Sequence, residues 1–183
     1  PLNYCNLKIN YDTLIDLGCG NGHFINLALD YKKNLKIVGI DLSSDSVQTC
    51  KKNIKKYLKN KNLKVFKCDI SKISKWKKKG NSIIQKSNSL ISMWFMLHEI
   101  SNHKVSKVKN FLKSLHKNFP NSNLLIGEII KLINHRPASI ICVLIKQNSF
   151  FIITWCPKIK EIIWRTIIFF IIKKVFVHSI AMI

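Results

Sequence analysis

The stretch "TLIDLGCGNGHF", residues 13–24, constrains this chain more than any other. It holds three of the chain's 6 Gly, at Gly18, Gly20 and Gly22, directly after an apolar run. Glycine tolerates positive φ and has no Cβ, so backbone built from it can pass close to a ligand. One glycine is enough for an ordinary strand-to-helix turn. Three at alternate positions point to a loop against which a ligand lies. "HFINLALDY" follows, with Phe24, Leu27, Ala28 and Tyr31 at helical spacing. The free N–H groups at the start of that helix would face the same crevice.

Spacing narrows the ligand. A dinucleotide loop reads G-x-G-x-x-G. Counted from Gly18, its third glycine falls on His23. No Gly-Lys-Ser/Thr follows, so the phosphate-loop pattern fails too. What stands is D-x-G-x-G-x-G, from Asp16 to Gly22. A carboxylate there repels a pyrophosphate and suits a cationic amino-acid group.

The chain continues in the same alternation. "TLIDLG" (13–18), "LKIVGIDLS" (35–43), "LKVFKCDI" (63–70), "SLISMWFML" (89–97) and "NLLIGEII" (123–130) read as buried strands. The second and third end at acids, Asp41 and Asp69. Ser43, Ser44 or Asp45 can cap a helix that runs to about Tyr57. "SKISKWKKKG" (71–80) is a short helix or a loop. Residues 103–118 predict an amphipathic helix with Val105, Val108, Phe111, Leu112 and Leu115 inward, ended with help from Pro120. Strands alternating with such helices predict an α/β fold: a Rossmann-like, doubly wound, mostly parallel sheet with helices on both faces.

With these residues in place, the chain resembles the class I S-adenosylmethionine-dependent methyltransferases over residues 12–130. "LIDLGCGNG", "VGIDLS" and "FKCDI" are similar to the family's first three motifs, in the right order. The resemblance implies the class I fold, S-adenosyl-L-methionine as cofactor and methyl transfer as activity. It implies that Gly18 and Gly20 shape the loop against the cofactor, with Cys19, Asn21 and Gly22 beside them. Asp16 would sit near the methionine end. Asp41, followed by Leu42, would accept hydrogen bonds from the ribose hydroxyls, a task suited to a carboxylate's several acceptor sites. Asp69 would bind the adenine amino group, with Cys68 and Ile70 lining the ring. A plain turn or helix cap is the structural alternative for both acids.

"MWFMLHEI" (93–100) lacks the Asn/Asp-Pro-Pro-aromatic motif common in family members that act on nucleic-acid amino groups. It is similar to small-molecule O- or C-methyltransferases, and the stretch through "FPNSNLLIGEI" is distantly similar to the 2-ketoarginine type. His98 is the candidate general base, since imidazole titrates near neutral pH. A loop histidine that orients its neighbours is the alternative. Glu99 is its candidate partner or a helix-start acid, and Glu128 is a weaker candidate for substrate contact. The expected acceptor is a small molecule. Two rivals stay open: an RNA or protein methyltransferase using the lysine-rich surface, and a catalytically inactive cofactor-binding fragment.

Charge decides less than it first suggests. Lys+Arg number 31, for a formal charge of +22, but only Arg136 and Arg165 are arginines. Lysine, asparagine and isoleucine share A/T-rich codons, and nucleic-acid sites favour arginine's planar fork. A solvated lysine surface is therefore favoured over a nucleic-acid partner. The 6 Cys form no CxxC pair and no Cys/His cluster with zinc spacing. No metal is expected, and free thiols in a reducing, cytoplasmic setting are.

Residues 138–183 differ in composition, with no Gly, no Asp and a single acid, Glu161. The favoured expectation divides the chain into a cofactor-binding domain at 1–137 and an atypical tail at 138–183. In that tail 166–172 and 175–181 would form an antiparallel pair closing the same sheet. The stretch 138–155 is long enough to span a bilayer, but Lys146, Gln147 and Asn148 interrupt it, so stable membrane insertion is not expected. A frameshifted, non-native tail is the third reading. The first residue is Pro1 rather than Met, from which a trimmed or partial chain is expected.

Overall fold

The computed structural model describes residues 11–57, 62–84, 88–101, 104–130, 139–146 and 149–154. The strands are β1 (Thr13–Leu17), β2 (Lys36–Asp41), β3 (Leu63–Lys67), β4 (Ser89–Trp94), β5 (Asn123–Ile130), β6 (Ser139–Lys146) and β7 (Ser149–Thr154). The helices are α1 (His23–Tyr31), α2 (Ser44–Asn53), α3 (Ile73–Gly80), α4 (Leu97–Ser101) and α5 (Val105–Asn118). The strands form one sheet in the order β3-β2-β1-β4-β5-β6-β7. The first five in that order are mutually parallel, β6 is antiparallel to β5, and β7 is antiparallel to β6. Winding reverses between β1 and β4, which is where open α/β sheets leave a crevice at the strand ends. The predicted doubly wound, mostly parallel sheet is the observed one.

Alternation along each strand divides the core in two. On one face Ile15, Leu17, Val38, Ile40, Ile91 and Met93 pack against Trp76 of α3 and Phe111, Leu112 and Leu115 of α5. On the other, Leu14, Ile37, Leu90 and Leu125 meet Ile25, Ala28 and Leu29 of α1 and Val47 and Cys50 of α2. β1 is buried along its whole length, as a central parallel strand should be.

Helix boundaries show where local chemistry overrode the pattern. Ser43 is the cap chosen among the three candidates: its Oγ accepts from the Ser46 N–H at 3.2 Å. α2 stops at Asn53, and a short 3-10 turn covers Lys55–Tyr57. Residues 71–80 resolve as α3, whose Trp76 is fully buried and donates Nε1–H to the Ile70 carbonyl at 2.9 Å. The fourth strand ends at Trp94 rather than at residue 97. Phe95 takes a left-handed φ of 58°, and its N–H bonds the Gly127 carbonyl at 2.7 Å. The chain can then enter α4, a short helix that precedes the one expected over 103–118, which is observed as α5.

Among the described residues of the tail, two strands appear that the sequence did not predict. Residues 138–155, read above for their length, carry β6, which ends at Lys146, and β7, which starts at Ser149. Both strands extend the same sheet past residue 137. The anticipated pair at 166–172 and 175–181 lies outside the described residues. Among the described residues, no helix is long and apolar enough to cross a membrane.

Candidate cofactor and acceptor cleft

The glycine loop leaves β1 and turns through three left-handed residues, Gly18 (φ 74°), Gly20 (φ 51°) and Gly22 (φ 80°). A side chain at any of them would be strained. The Gly18 and Cys19 N–H groups both bond the Ile40 carbonyl, at 2.8 and 3.0 Å, which fixes the loop against β2. Asn53 Nδ2 donates to the Asn21 carbonyl at 2.9 Å and ties the loop to α2. Among the described residues, a Cβ placed on Gly20 would meet no atom within 4 Å, so there is open space beside it. A Cβ on Gly18 would meet Met96 Sδ at 2.5 Å, so glycine there is what lets the thioether lie on the loop.

Three acids sit at or near strand ends in different surroundings. Asp41, at the tip of β2, accepts from the Gly20 N–H at 2.9 Å and the Ser43 N–H at 2.8 Å. One carboxylate thus joins the glycine loop to the start of α2. Asp69, beyond the tip of β3, accepts the Ser71 N–H at 2.9 Å and the Ser71 hydroxyl at 2.7 Å, both on Oδ1. Those bonds to Ser71 hold its carboxyl below the ordinary range. Asp16 lies inside the sheet at 1% exposure. Register places it opposite Ser92 of β4, whose hydroxyl donates to it at 2.6 Å. Burial outweighs that bond, and its carboxyl is pushed up to about 7.

These elements border an open cleft of about 1020 Å³. Gly18, Asp41, Leu42, Asp69 and Ile70 line one side. Of the residues predicted to hold a cofactor, these are the ones brought together at its surface. Asp16 lies beneath it. Cys19 turns into the opposite core, where its thiol hydrogen-bonds to Cys50, and that bond with burial pushes the thiol well up. Gly22 packs on the same Cys50, and Cys68 is partly buried against the α3–α5 core. Asn21 is exposed, with Oδ1 accepting from the His23 N–H at 3.1 Å. His98 stands on α4 with its side chain 63% exposed and Nε2 3.5 Å from Glu99 Oε1. Glu99 lines the cleft. Glu128 lies in β5, in register with Ile141, and its side chain is outside the described part.

The rest of the lining includes Phe95, Met96, Glu99, Lys107, Asn110 and Ser114, with Met96 packed on Gly18. Of these the sequence singled out Glu99 alone. The signal was present but faint: positions 107, 110 and 114 border the buried stripe of α5 and read as ordinary solvent-facing residues.

A family model described as a methyltransferase domain matches residues 10–162. The chain belongs to the methyltransferase-domain family. Among solved structures, this methyltransferase domain is similar to coclaurine N-methyltransferase bound to N-methylheliamine and SAH. The identity is 16%, over 69% of this chain and 34% of that one, with a TM-score of 0.51. It is also similar to a SAM-dependent methyltransferase from Aquifex aeolicus, at 23% identity over 68% of this chain and 60% of that one (TM-score 0.48). A third is the mitomycin 7-O-methyltransferase MmcR, at 18% identity over 69% and 33% (TM-score 0.49). The chain therefore spans between about one-third and 60% of the length of these structures. No curated protein matches it. The fold is that of the class I S-adenosylmethionine-dependent methyltransferases.

The donor set fits that cofactor. Open space lies beside Gly20, and two carboxylates border one cleft at the ends of adjacent strands. Asp41 engages two backbone N–H groups and, with about four acceptor sites, keeps capacity for a diol. Met96 over Gly18 is the far end of a flexible side chain and can give way.

Proposed function

We propose that this methyltransferase domain transfers a methyl group from S-adenosylmethionine to a small-molecule acceptor at an oxygen or carbon nucleophile. The observation that carries this reading is the meeting of Gly18, Asp41 and Asp69 on one side of a single cleft. Asp41 would accept from the ribose hydroxyls, Asp69 from the adenine amino group, and Ile70, Leu42 and Cys68 would flank the nucleoside. Gly18, Cys19, Gly20, Asn21 and Gly22 would supply backbone along the methionine portion, with the buried Asp16 carboxyl near that end. Bound S-adenosylmethionine supplies an electrophilic methyl group, so the protein's task is orientation and proton removal. The His98–Glu99 pair would remove the acceptor's proton at the ring nitrogen of His98 turned away from Glu99, with the Glu99 carboxylate facing Nε2 and stabilising the imidazolium. Free thiols at Cys19, Cys50 and Cys68 suit a reducing, cytoplasmic setting.

The test is transfer of label from methyl-labelled S-adenosylmethionine into a pool of small hydroxy and keto compounds, with RNA and protein in parallel. Label in a small product, lost in Asp41→Ala and reduced in His98→Ala, is the expected result. Label only in RNA or protein, or in no acceptor at all, would overturn the proposal.

A further inference from the structure

The α5 side of the cleft carries polar groups to which the cofactor reading assigns no role. Lys107, Asn110 and Ser114 stand at spacings of three and four, which places them on one side of the helix. They span about 10 Å of its length at 1.5 Å per residue. All three are exposed, yet they line the cleft together with Phe111, whose ring is buried at 6% exposure. Phe95 and Ile100 add apolar surface to the same wall. Among the described lining residues the charged groups are Asp41, Asp69, Glu99 and Lys107, so Lys107 is the one cation. Asp41 and Asp69 already hold backbone N–H groups at the strand ends, and Glu99 faces His98.

Such a wall is selective. A lysine ammonium is a compact point charge suited to a carboxylate. Asn110 offers an amide donor and acceptor, and Ser114 a hydroxyl. The aromatic and aliphatic floor rewards an apolar body. An acid can pair with this ammonium directly, and its neutral ester cannot.

We infer that Lys107, with Asn110 and Ser114, forms an acceptor subsite that selects a small apolar molecule bearing a carboxylate. This rests on the methyl-transfer reading and adds the acceptor's class to it. Lys107 is a specificity residue here, because it meets the acceptor's acid group rather than the reacting atom.

Matched probes test it on the S-adenosylhomocysteine-saturated protein: 3,4-dihydroxybenzoate against its methyl ester, and phenylpyruvate against its ethyl ester. Binding is read by calorimetry and by ligand-observed NMR. At least one acid should bind about tenfold more tightly than its ester, the size of one hydrogen bond to a charged group. Lys107→Ala should abolish that preference, Lys107→Glu should reverse it, and Lys107→Arg should retain it. The affinity for S-adenosylhomocysteine should not change in any of the three. Equal binding of acid and ester, or binding of neither, would overturn the inference. So would weaker S-adenosylhomocysteine binding in Lys107→Ala, which would give Lys107 to the cofactor. Lys107-dependent binding of a single-stranded RNA decamer in place of the acids would also overturn it. Absence of S-adenosylhomocysteine binding in the wild type would instead defeat the methyl-transfer reading, and this subsite with it.

Discussion

The strand-end lining of the cleft and its helical lining hold their polar groups in different ways. On the first, each acid is tied to the fold. Asp41 bridges the glycine loop and α2, Asp69 closes a turn with Ser71, and Asp16 is sealed against Ser92. On the second, Lys107, Asn110 and Ser114 project from a helix whose stability comes from Val108, Phe111, Leu112 and Leu115 beneath them. The first wall should therefore be costly to alter and the second cheap. That matches a fixed cofactor facing an adaptable acceptor.

The largest expected effect lies behind the strand-end wall. Trp76→Ala removes a fully buried ring, its stacking on Phe119 at 5.4 Å, and the bond that fixes Ile70 beside Asp69. Denaturant unfolding should show a loss of about 3–5 kcal/mol. A loss below about 1 kcal/mol would mean that Ile70 and Asp69 are positioned by something else.

Asp16 sharpens the comparison through pH. Its folded-state pKa is raised to about 7, so between about pH 4 and pH 7 the native state holds a proton that the unfolded state has released. Its contribution makes stability fall as pH rises through that window, by at most about 4 kcal/mol at about 1.4 per unit. Asp69 has the opposite sign. Its lowered pKa gives a contribution present above the unfolded carboxylate range and lost as pH falls through the folded pKa. Asp16→Asn should flatten the fall between about pH 4 and pH 7 in urea melts, while Ser71→Ala should leave it in place. An unchanged slope in Asp16→Asn would show that Asp16 ionises normally.

Gly20→Ala isolates the loop's conformation, because no neighbour crowds the new Cβ. A left-handed alanine should cost about 1–2 kcal/mol of stability by thermal or chemical melts. Asn110→Ala and Ser114→Ala should stay within about 0.5 kcal/mol of wild type in the same assay. If they cost as much as Gly20→Ala, the helical wall is part of the structural frame and the contrast fails.

The legible parts of this molecule are those where one physical requirement dominates a short stretch. Buried parallel strands must be apolar, and acids just beyond them stand out, which is why Asp41 and Asp69 could be named. The three positive-φ glycines were legible for the same reason. Other features depend on partners distant in sequence. Phe95 turns left-handed because its N–H reaches Gly127, and no glycine marks the place. Asp16 looks like its fellow acids in sequence, yet register against Ser92 buries it. The pairing of β6 with β7 was obscured because both strands are rich in apolar residues, so Lys146, Gln147 and Asn148 read as an interruption of one run and not as a boundary between two strands. Lys107, Asn110 and Ser114 were hidden by being polar positions on an amphipathic helix, where polarity is the default.

Calorimetric titration of S-adenosylhomocysteine into the wild type, Asp41→Ala and Asp69→Ala tests the central claim most directly. One site per chain is predicted for the wild type. Each variant should lose about tenfold or more in affinity, as expected for removing a charged acceptor from a hydrogen-bonded site. No binding by the wild type, or the same affinity in Asp41→Ala, would contradict the assignment of the strand-end wall to the cofactor.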